Sequence, residues 1–238
     1  MLPPKPKSFD PLFGVECWLA VGHLPAGEKK ERASEYVRWQ NRATNFYCAA
    51  RILRIEEIVA PAAFCAFQAI ENILKATISF YKGAEEAEKF KHRLKAMQRF
   101  INNQIVPKAP HSRPIDIPDF FVNENRFQSM SRYPKRGRGT TIELFELREL
   151  DRVFYQNVLL VPHTFKTELV LYLMPRHPTQ SDLRKRSAIK MQNEFYEPLC
   201  EHLRSSRDIP LQVGFGTGYA RDTLNRQRVP GELGAGFP

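Results

Sequence analysis

Apolar side chains recur every third or fourth residue along much of this chain, which is the spacing of one face of an α-helix. The pattern predicts a long helix over residues 28–57 and a second helix over residues 62–82. Pro61 separates the two, because proline cannot continue a helical hydrogen-bond ladder, and Gly83 is suited to end the second. The apolar face of the first helix comprises Tyr36, Trp39, Ala43, Phe46, Ala50 and Leu53.

The same periodicity continues beyond Gly83. Further helices are predicted at residues 84–105, 119–132, 141–160 and 182–206. Thr140 and Glu143 form a capping-box pattern at the start of the third of these. Ser181 is the predicted cap of the last, and Pro198 is the predicted position of a kink within it. The short apolar run TELVLYLMP fits either a buried strand or a helix. The chain as a whole is predicted to be all-α.

Composition and charge narrow the class of protein. The chain has 238 residues, of which 42% are hydrophobic, and a formal net charge of +10 that is spread over both halves. A positive balance favours acidic partners. The 4 cysteines lack the paired spacing of a zinc or redox site. No apolar run reaches the ~18 residues of a membrane span. These features predict a cytoplasmic protein that has no membrane contact, metal or cofactor.

A line of polar residues interrupts the second predicted helix, in the segment FCAFQAIENILKA. Gln68, Glu71 and Lys75 follow one another at steps of three and four, so they share one side of the helix. One interpretation is an exposed stripe with a single Glu71–Lys75 pair, worth roughly 0.2–0.5 kcal/mol. The other is a polar groove between helices. The groove is favoured, because the neighbouring amphipathic helices must pack against this one.

Three motifs give the chain a resemblance to a known superfamily. The first is the helical pair that carries Trp39 with ARIL and then FQAIENILKA; the second is HRLKAM, with His92 and Leu94. The third is SRYP, which holds Arg132 and Pro134. In order and spacing these motifs resemble the HEPN superfamily of small helical bundles. The resemblance implies an up-and-down bundle and a homodimer.

The resemblance, together with the residue patterns on either side of it, predicts a division of the chain. The HEPN-like bundle is expected at residues 28–160, after an irregular lead-in over residues 1–27. A mostly helical extension is expected at residues 161–210, followed by an irregular tail over residues 211–238.

Many HEPN proteins are ribonucleases that carry an Arg followed, after four to six residues, by a His. None of the 6 histidines of this chain has an Arg at that spacing. The chain therefore resembles the non-catalytic members, which bind a nucleotide or nucleic-acid phosphate, a protein partner such as a nucleotidyltransferase, or both. Two alternatives stay open. One is a metal-independent ribonuclease of toxin or defence type, with Arg132, His92 or His111 as catalytic groups. The other is a module that only binds proteins.

Most candidate binding residues follow the third motif. They are Arg132, Tyr133, Lys135, Arg136 and Arg138, joined by His92 and by the polar line of Gln68, Glu71 and Lys75. Arg132 fits two roles, since its guanidinium can pair with an acid such as Glu71 or hold a phosphate. The basic turn that follows fits a phosphate grip or a solvated loop. His92 fits a contact within the bundle or a phosphate donor.

Overall fold

The fold of this chain is entirely helical wherever the computed structural model describes it. The described residues are 25–108, 113–122, 145–161, 168–173 and 179–205, and no strand occurs among them. The helices are α1 (Ala26–Ile55), α2 (Val59–Lys82), α3 (Ala84–Lys89), α4 (Leu94–Gln104), α5 (Asp119–Val122), α6 (Leu147–Val158), α7 (Glu168–Leu173), α8 (Gln180–Lys190) and α9 (Tyr196–Ser205). The predicted all-α class is confirmed.

Helices α1 and α2 form an antiparallel hairpin, around which the other helices pack. Near the start of α1, Arg32 Nη1 donates to the carbonyl oxygen of Tyr81 at 2.6 Å. Near the other end, the rings of Phe46 and Phe64 lie 6.4 Å apart. The close approach of the two helices is permitted by small buried residues, namely Ala43, Ala50, Ala62, Ala66 and Ala69.

The break between α1 and α2 comes earlier than predicted. Helix α1 ends at Ile55 and α2 begins at Val59, with Glu57 in the left-handed region at φ 60°. Pro61 lies in the first turn of α2, where its missing N–H has no intrahelical partner to lose. The predicted stop at Gly83 is confirmed, since Gly83 caps α2 with φ 94°.

The single helix predicted over residues 84–105 is wrong, because the segment forms two helices. A turn separates α3 from α4, and Lys91 in that turn has φ 52°. The turn packs the ring of Phe90 against that of Phe100, with centroids 5.2 Å apart. The predicted apolar positions Ala87 and Leu94 are nonetheless both buried. The turn also brings residue 92 back over α2.

Later helix boundaries also differ from the predictions. Phe145 and Glu146 are not helical, so α6 begins at Leu147 rather than at residue 141. Only Asp119–Val122 of the helix predicted at 119–132 lies within the described residues. The predicted capping pair, Thr140 and Glu143, lies outside them.

The C-terminal elements are helical but divided differently from the prediction. The apolar run TELVLYLMP, which fitted either a strand or a helix, contains helix α7. The helix alternative is therefore confirmed. Thr179, not Ser181, caps α8 and forms a capping box with Asp182. The segment predicted as one kinked helix is two separate helices, and Pro198 lies in the first turn of α9.

A buried network joins these C-terminal helices to the bundle. Arg51 is fully buried, pairs with Asp151 of α6 and donates from Nε to the carbonyl oxygen of Ala188 at 2.7 Å. Tyr47 donates to Asp151 at 2.6 Å, and Asn193 donates to the Tyr47 hydroxyl at 3.0 Å. Side chains of α7, α8 and α9 therefore belong to the same core as α1 and α6.

Burial governs the acid–base behaviour of this network. Burial raises the pKa of the Asp151 carboxyl, and the Arg51 charge opposes that shift. Burial, followed by the nearby Asp151 charge, raises the pKa of Tyr47 well above its ordinary value. Sequence reasoning missed this network, because Arg51 and Asp151 lie 100 residues apart. The ARIL motif that contains Arg51 gave no indication of this partner.

Candidate functional site

The polar line of α2 lies in a groove beneath the α3–α4 turn. Glu71 and Lys75 are only 4% and 7% exposed, and Lys75 Nζ donates to Glu71 Oε1 at 2.7 Å. Gln68, one turn earlier, is half-buried, and its backbone carbonyl accepts a hydrogen bond from Asn72 Nδ2 at 2.6 Å. A buried cation and a buried carboxylate thus neutralise each other inside the helix pair.

His92 closes this groove from above. Its Nδ1 lies 2.9 Å and 3.1 Å from the two carboxylate oxygens of Glu71, while the side chain is 52% exposed. A carboxylate only accepts hydrogen bonds, so Nδ1 carries the proton in this pair. The outer nitrogen, Nε2, has no hydrogen-bond partner among the described residues. The carboxylate therefore holds the imidazole with one nitrogen inward and one free.

Trp39 of α1 forms the side wall of the groove. Lys75 Nζ lies 5.1 Å from the centroid of its ring, and the Arg38 guanidinium carbon lies 4.9 Å from it. Arg38 also pairs with Glu35 at 2.6 Å. Contacts therefore run without a gap from Arg38 through Trp39 and Lys75 to the Glu71–His92 pair. Sequence reasoning placed Trp39 on the apolar face of the first helix and in the first family motif, but not among the site residues. The tryptophan beside an arginine was the available signal.

Basic residues surround His92 on the turn. Lys91 and Arg93 are exposed on either side of it, and Lys91 makes no ion pair among the described residues. Within the described part of the chain, Arg93 donates only to backbone carbonyls, those of Phe90 at 3.4 Å and Lys89 at 3.2 Å. Lys91 and Arg93 therefore make the turn around His92 positive, while Lys75 already neutralises the acid beneath it.

Residues 36–153 match the family model of the HEPN domain. The chain belongs to the HEPN-domain superfamily. No curated protein and no solved structure shows significant similarity to it. HEPN membership places the chain among nucleotide- or RNA-related and protein-interaction modules, and it agrees with the helical fold.

The structure of the HEPN domain brings together three of the predicted site residues. Glu71, Lys75 and His92 are in direct contact, although 21 residues separate Glu71 from His92. The remaining predicted residues, except Gln68, lie outside the described part of the chain: His111, Arg132, Tyr133, Lys135, Arg136 and Arg138.

Two features are not found in the described part of the chain. Within residues 25–108, 113–122, 145–161, 168–173 and 179–205, no group of His, Cys, Asp or Glu side chains is arranged to hold a metal ion. The helices of the same ranges include none long and apolar enough to cross a membrane.

Proposed function

We propose that the HEPN domain of this chain is a non-catalytic module that binds the phosphate of a nucleotide or a nucleic acid at the rim of the groove. The observation that carries the proposal is the Glu71–His92 pair, with His92 Nδ1 held at 2.9 Å. Because Glu71 holds Nδ1, the orientation of the imidazole is fixed. Its other nitrogen, Nε2, can then donate to a phosphate oxygen once it carries a proton.

The charge balance of the rim supports an anionic ligand. Glu71 would repel a phosphate, but Lys75 donates to its Oε1 at 2.7 Å and offsets the charge. Lys91 and Arg93 then add exposed positive charge beside His92. A phosphate bound there would contact cations without having to displace an existing ion pair.

Further contacts are proposed from the part of the chain that follows α5. Arg132, Tyr133, Lys135, Arg136 and Arg138 are predicted to add to the grip on phosphate, and Gln68 is predicted to line the groove. Homodimerisation and a protein partner such as a nucleotidyltransferase remain predictions that rest on the family resemblance. A cytoplasmic location remains a prediction that rests on composition.

The ribonuclease alternative has one specific observation in its favour. A histidine oriented by a carboxylate is the arrangement of a general base, and His92 has it. Against it, the Arg-to-His signature is absent. The non-catalytic function is therefore the main proposal.

The test is a titration of labelled RNA with purified protein at roughly 50 and 200 mM salt, with each mixture also analysed on a denaturing gel. Lys91→Gln combined with His92→Gln is expected to weaken binding about tenfold or more at the lower salt. Lys108→Gln is the matched control, because Lys108 is exposed in the 3-10 turn beyond the opposite end of α4. It is expected to change affinity less than about twofold.

Three results would contradict the proposal. If the RNA stays intact and does not bind, the protein-interaction alternative would be the better supported function. Equal losses in the double variant and in Lys108→Gln would show that net charge, not this rim, controls binding. RNA cleaved by the wild type but not by His92→Gln would establish the ribonuclease alternative.

A further inference from the structure

Residues 113–118, with the sequence RPIDIP, form a short non-helical strap against the bundle. Ile115 and Ile117 are only 1% and 4% exposed, whereas Pro114 and Asp116 are exposed. Side chains that alternate between buried and exposed positions indicate an extended backbone. The strap therefore places two aliphatic side chains, separated by one residue, in the apolar core.

Asn102 of α4 binds the backbone of the strap rather than one of its side chains. Its Nδ2 donates to the carbonyl oxygen of Ile115 at 2.8 Å, and its Oδ1 accepts from the N–H of the same residue at 2.7 Å. Gln98, one turn earlier, donates from Nε2 to the same carbonyl at 2.9 Å. The two amides thus hold the strap as a neighbouring β-strand would, through groups that every peptide carries.

The other side of the strap faces α6. Asp116 Oδ2 lies 3.2 Å from Arg152 Nη1, and the Asp116 side chain is 72% exposed. An ion pair this exposed contributes little to affinity. The strap therefore occupies a groove between α4 and α6 that selects two aliphatic side chains and an extended backbone. Side chains of the helices make these polar contacts, so the contacts do not require the occupant to belong to the same chain.

We propose that the groove between α4 and α6 is a docking site for an extended segment of a protein partner, and that the strap fills it until the partner displaces the strap. The partner segment carries two aliphatic residues separated by one residue, as Ile115 and Ile117 are, with a proline close on either side. Proline restricts the residue before it to extended backbone, so such a segment loses little freedom on binding. This groove is separate from the phosphate site, which does not include Gln98 or Asn102.

Competition with the strap sets the strength that a partner needs. A segment attached to the same chain competes at an effective concentration in roughly the millimolar range. A free peptide that fits no better than the strap is therefore expected to bind the wild type only weakly. A partner protein would overcome the strap by adding contacts outside the groove.

The test measures the fluorescence anisotropy of a labelled RPIDIP peptide titrated with the full chain. The double variant Ile115→Ser with Ile117→Ser weakens the strap and is expected to bind the peptide about tenfold or more tightly than the wild type. Adding Asn102→Ala to it is expected to remove that gain. Asp116→Asn keeps both isoleucines and is the matched control, expected to bind like the wild type. A peptide with serine in place of both isoleucines is expected not to bind.

Circular dichroism shows whether each variant is folded. If the double variant does not fold alone, the RPIDIP peptide is expected to restore its helical signal, because a ligand of the native state stabilises it. Failure of the peptide to restore that signal would overturn the docking site. A folded double variant that binds neither peptide, or both equally, would also overturn it. Equal affinity of the wild type and the double variant would show that the peptide does not compete with the strap.

Discussion

Arg51 of α1 fixes the positions of α6 and α8 relative to α1 through one side chain. Its guanidinium has no exposed surface, pairs with Asp151 and donates to backbone carbonyls of Ala188 and Met191. A buried charge is tolerated only when its donors are satisfied. Any rearrangement that moved α6 or α8 away from α1 would leave part of this guanidinium without a partner.

Asp151→Asn is expected to lower the free energy of unfolding by about 3–5 kcal/mol, because it leaves the buried Arg51 charge without its counter-ion. The measurement is urea unfolding followed by circular dichroism. Asp116→Asn is the control, since it breaks the exposed Arg152–Asp116 pair, whose atoms lie 3.2 Å apart. The control is expected to cost less than about 1 kcal/mol. Similar losses in both variants would contradict the role given to the buried pair.

At the scale of elements, turns and caps decide where the helical periodicity is interrupted. The turn between α3 and α4 leaves the apolar stripe intact, yet it redirects the chain and sets His92 above Glu71. A similar interruption separates α8 from α9, where Gln192 has φ 53°. The residues with left-handed backbone at these turns, Lys91 and Gln192, are not glycines. The sequence therefore did not indicate where the turns lie.

The capping box of α8 gives a prediction with an internal control. Thr179 Oγ1 accepts from the Asp182 N–H at 3.2 Å, and Asp182 Oδ2 accepts from the Thr179 N–H at 3.0 Å. Thr179→Ala is expected to lower the free energy of unfolding by about 1 kcal/mol at pH 7. Ser181→Ala, at the cap that the sequence suggested, is expected to change it by less than about 0.5 kcal/mol.

The capping box of α8 also predicts how the free energy of unfolding depends on pH. The hydrogen bonds from Thr179 lower the pKa of Asp182 below its ordinary 3.8. A lowered folded-state pKa contributes stability above pH 3.8, and that contribution is lost as the pH falls through the folded value. The difference between wild type and Thr179→Ala should therefore shrink in acid. A difference that grows as the pH falls would contradict this sign.

At the scale of the whole molecule, the HEPN match ends at residue 153 but the core does not. Leu169 of α7, Ile189 of α8 and Leu199 of α9 are buried in the same cluster as the residues of α1 and α2. Tyr172 of α7 also donates to Asn45 of α1 at 3.1 Å. The described C-terminal helices therefore pack as part of the bundle.

The full chain is expected to unfold in one cooperative transition, because the helices share one core. A chain that ends at Val161 is expected to be less stable and to bind a hydrophobic dye, since it exposes the face of α1 around Arg51. Calorimetry and dye fluorescence measure the two effects. A shortened chain that melts like the full chain, without dye binding, would show that α7–α9 do not support the bundle.

The sequence by itself determined the helical class, the apolar faces and the absence of the ribonuclease signature. Those features depend on residues within a turn or two of one another, and such spacing is readable directly. Gly83 was predictable for the same reason, since a glycine after a periodic segment is a local signal. The HEPN resemblance likewise rested on short motifs and their order.

Only the tertiary structure decided which polar groups meet. Glu71 and His92 are 21 residues apart, and Arg51 and Asp151 are 100 apart. Their contacts depend on how each helix is rotated about its axis and on the turns that aim it, and periodicity carries no record of either. The sequence therefore determined which residues were available for a site, and the packing of α1, α2 and the α3–α4 turn determined which of them form it.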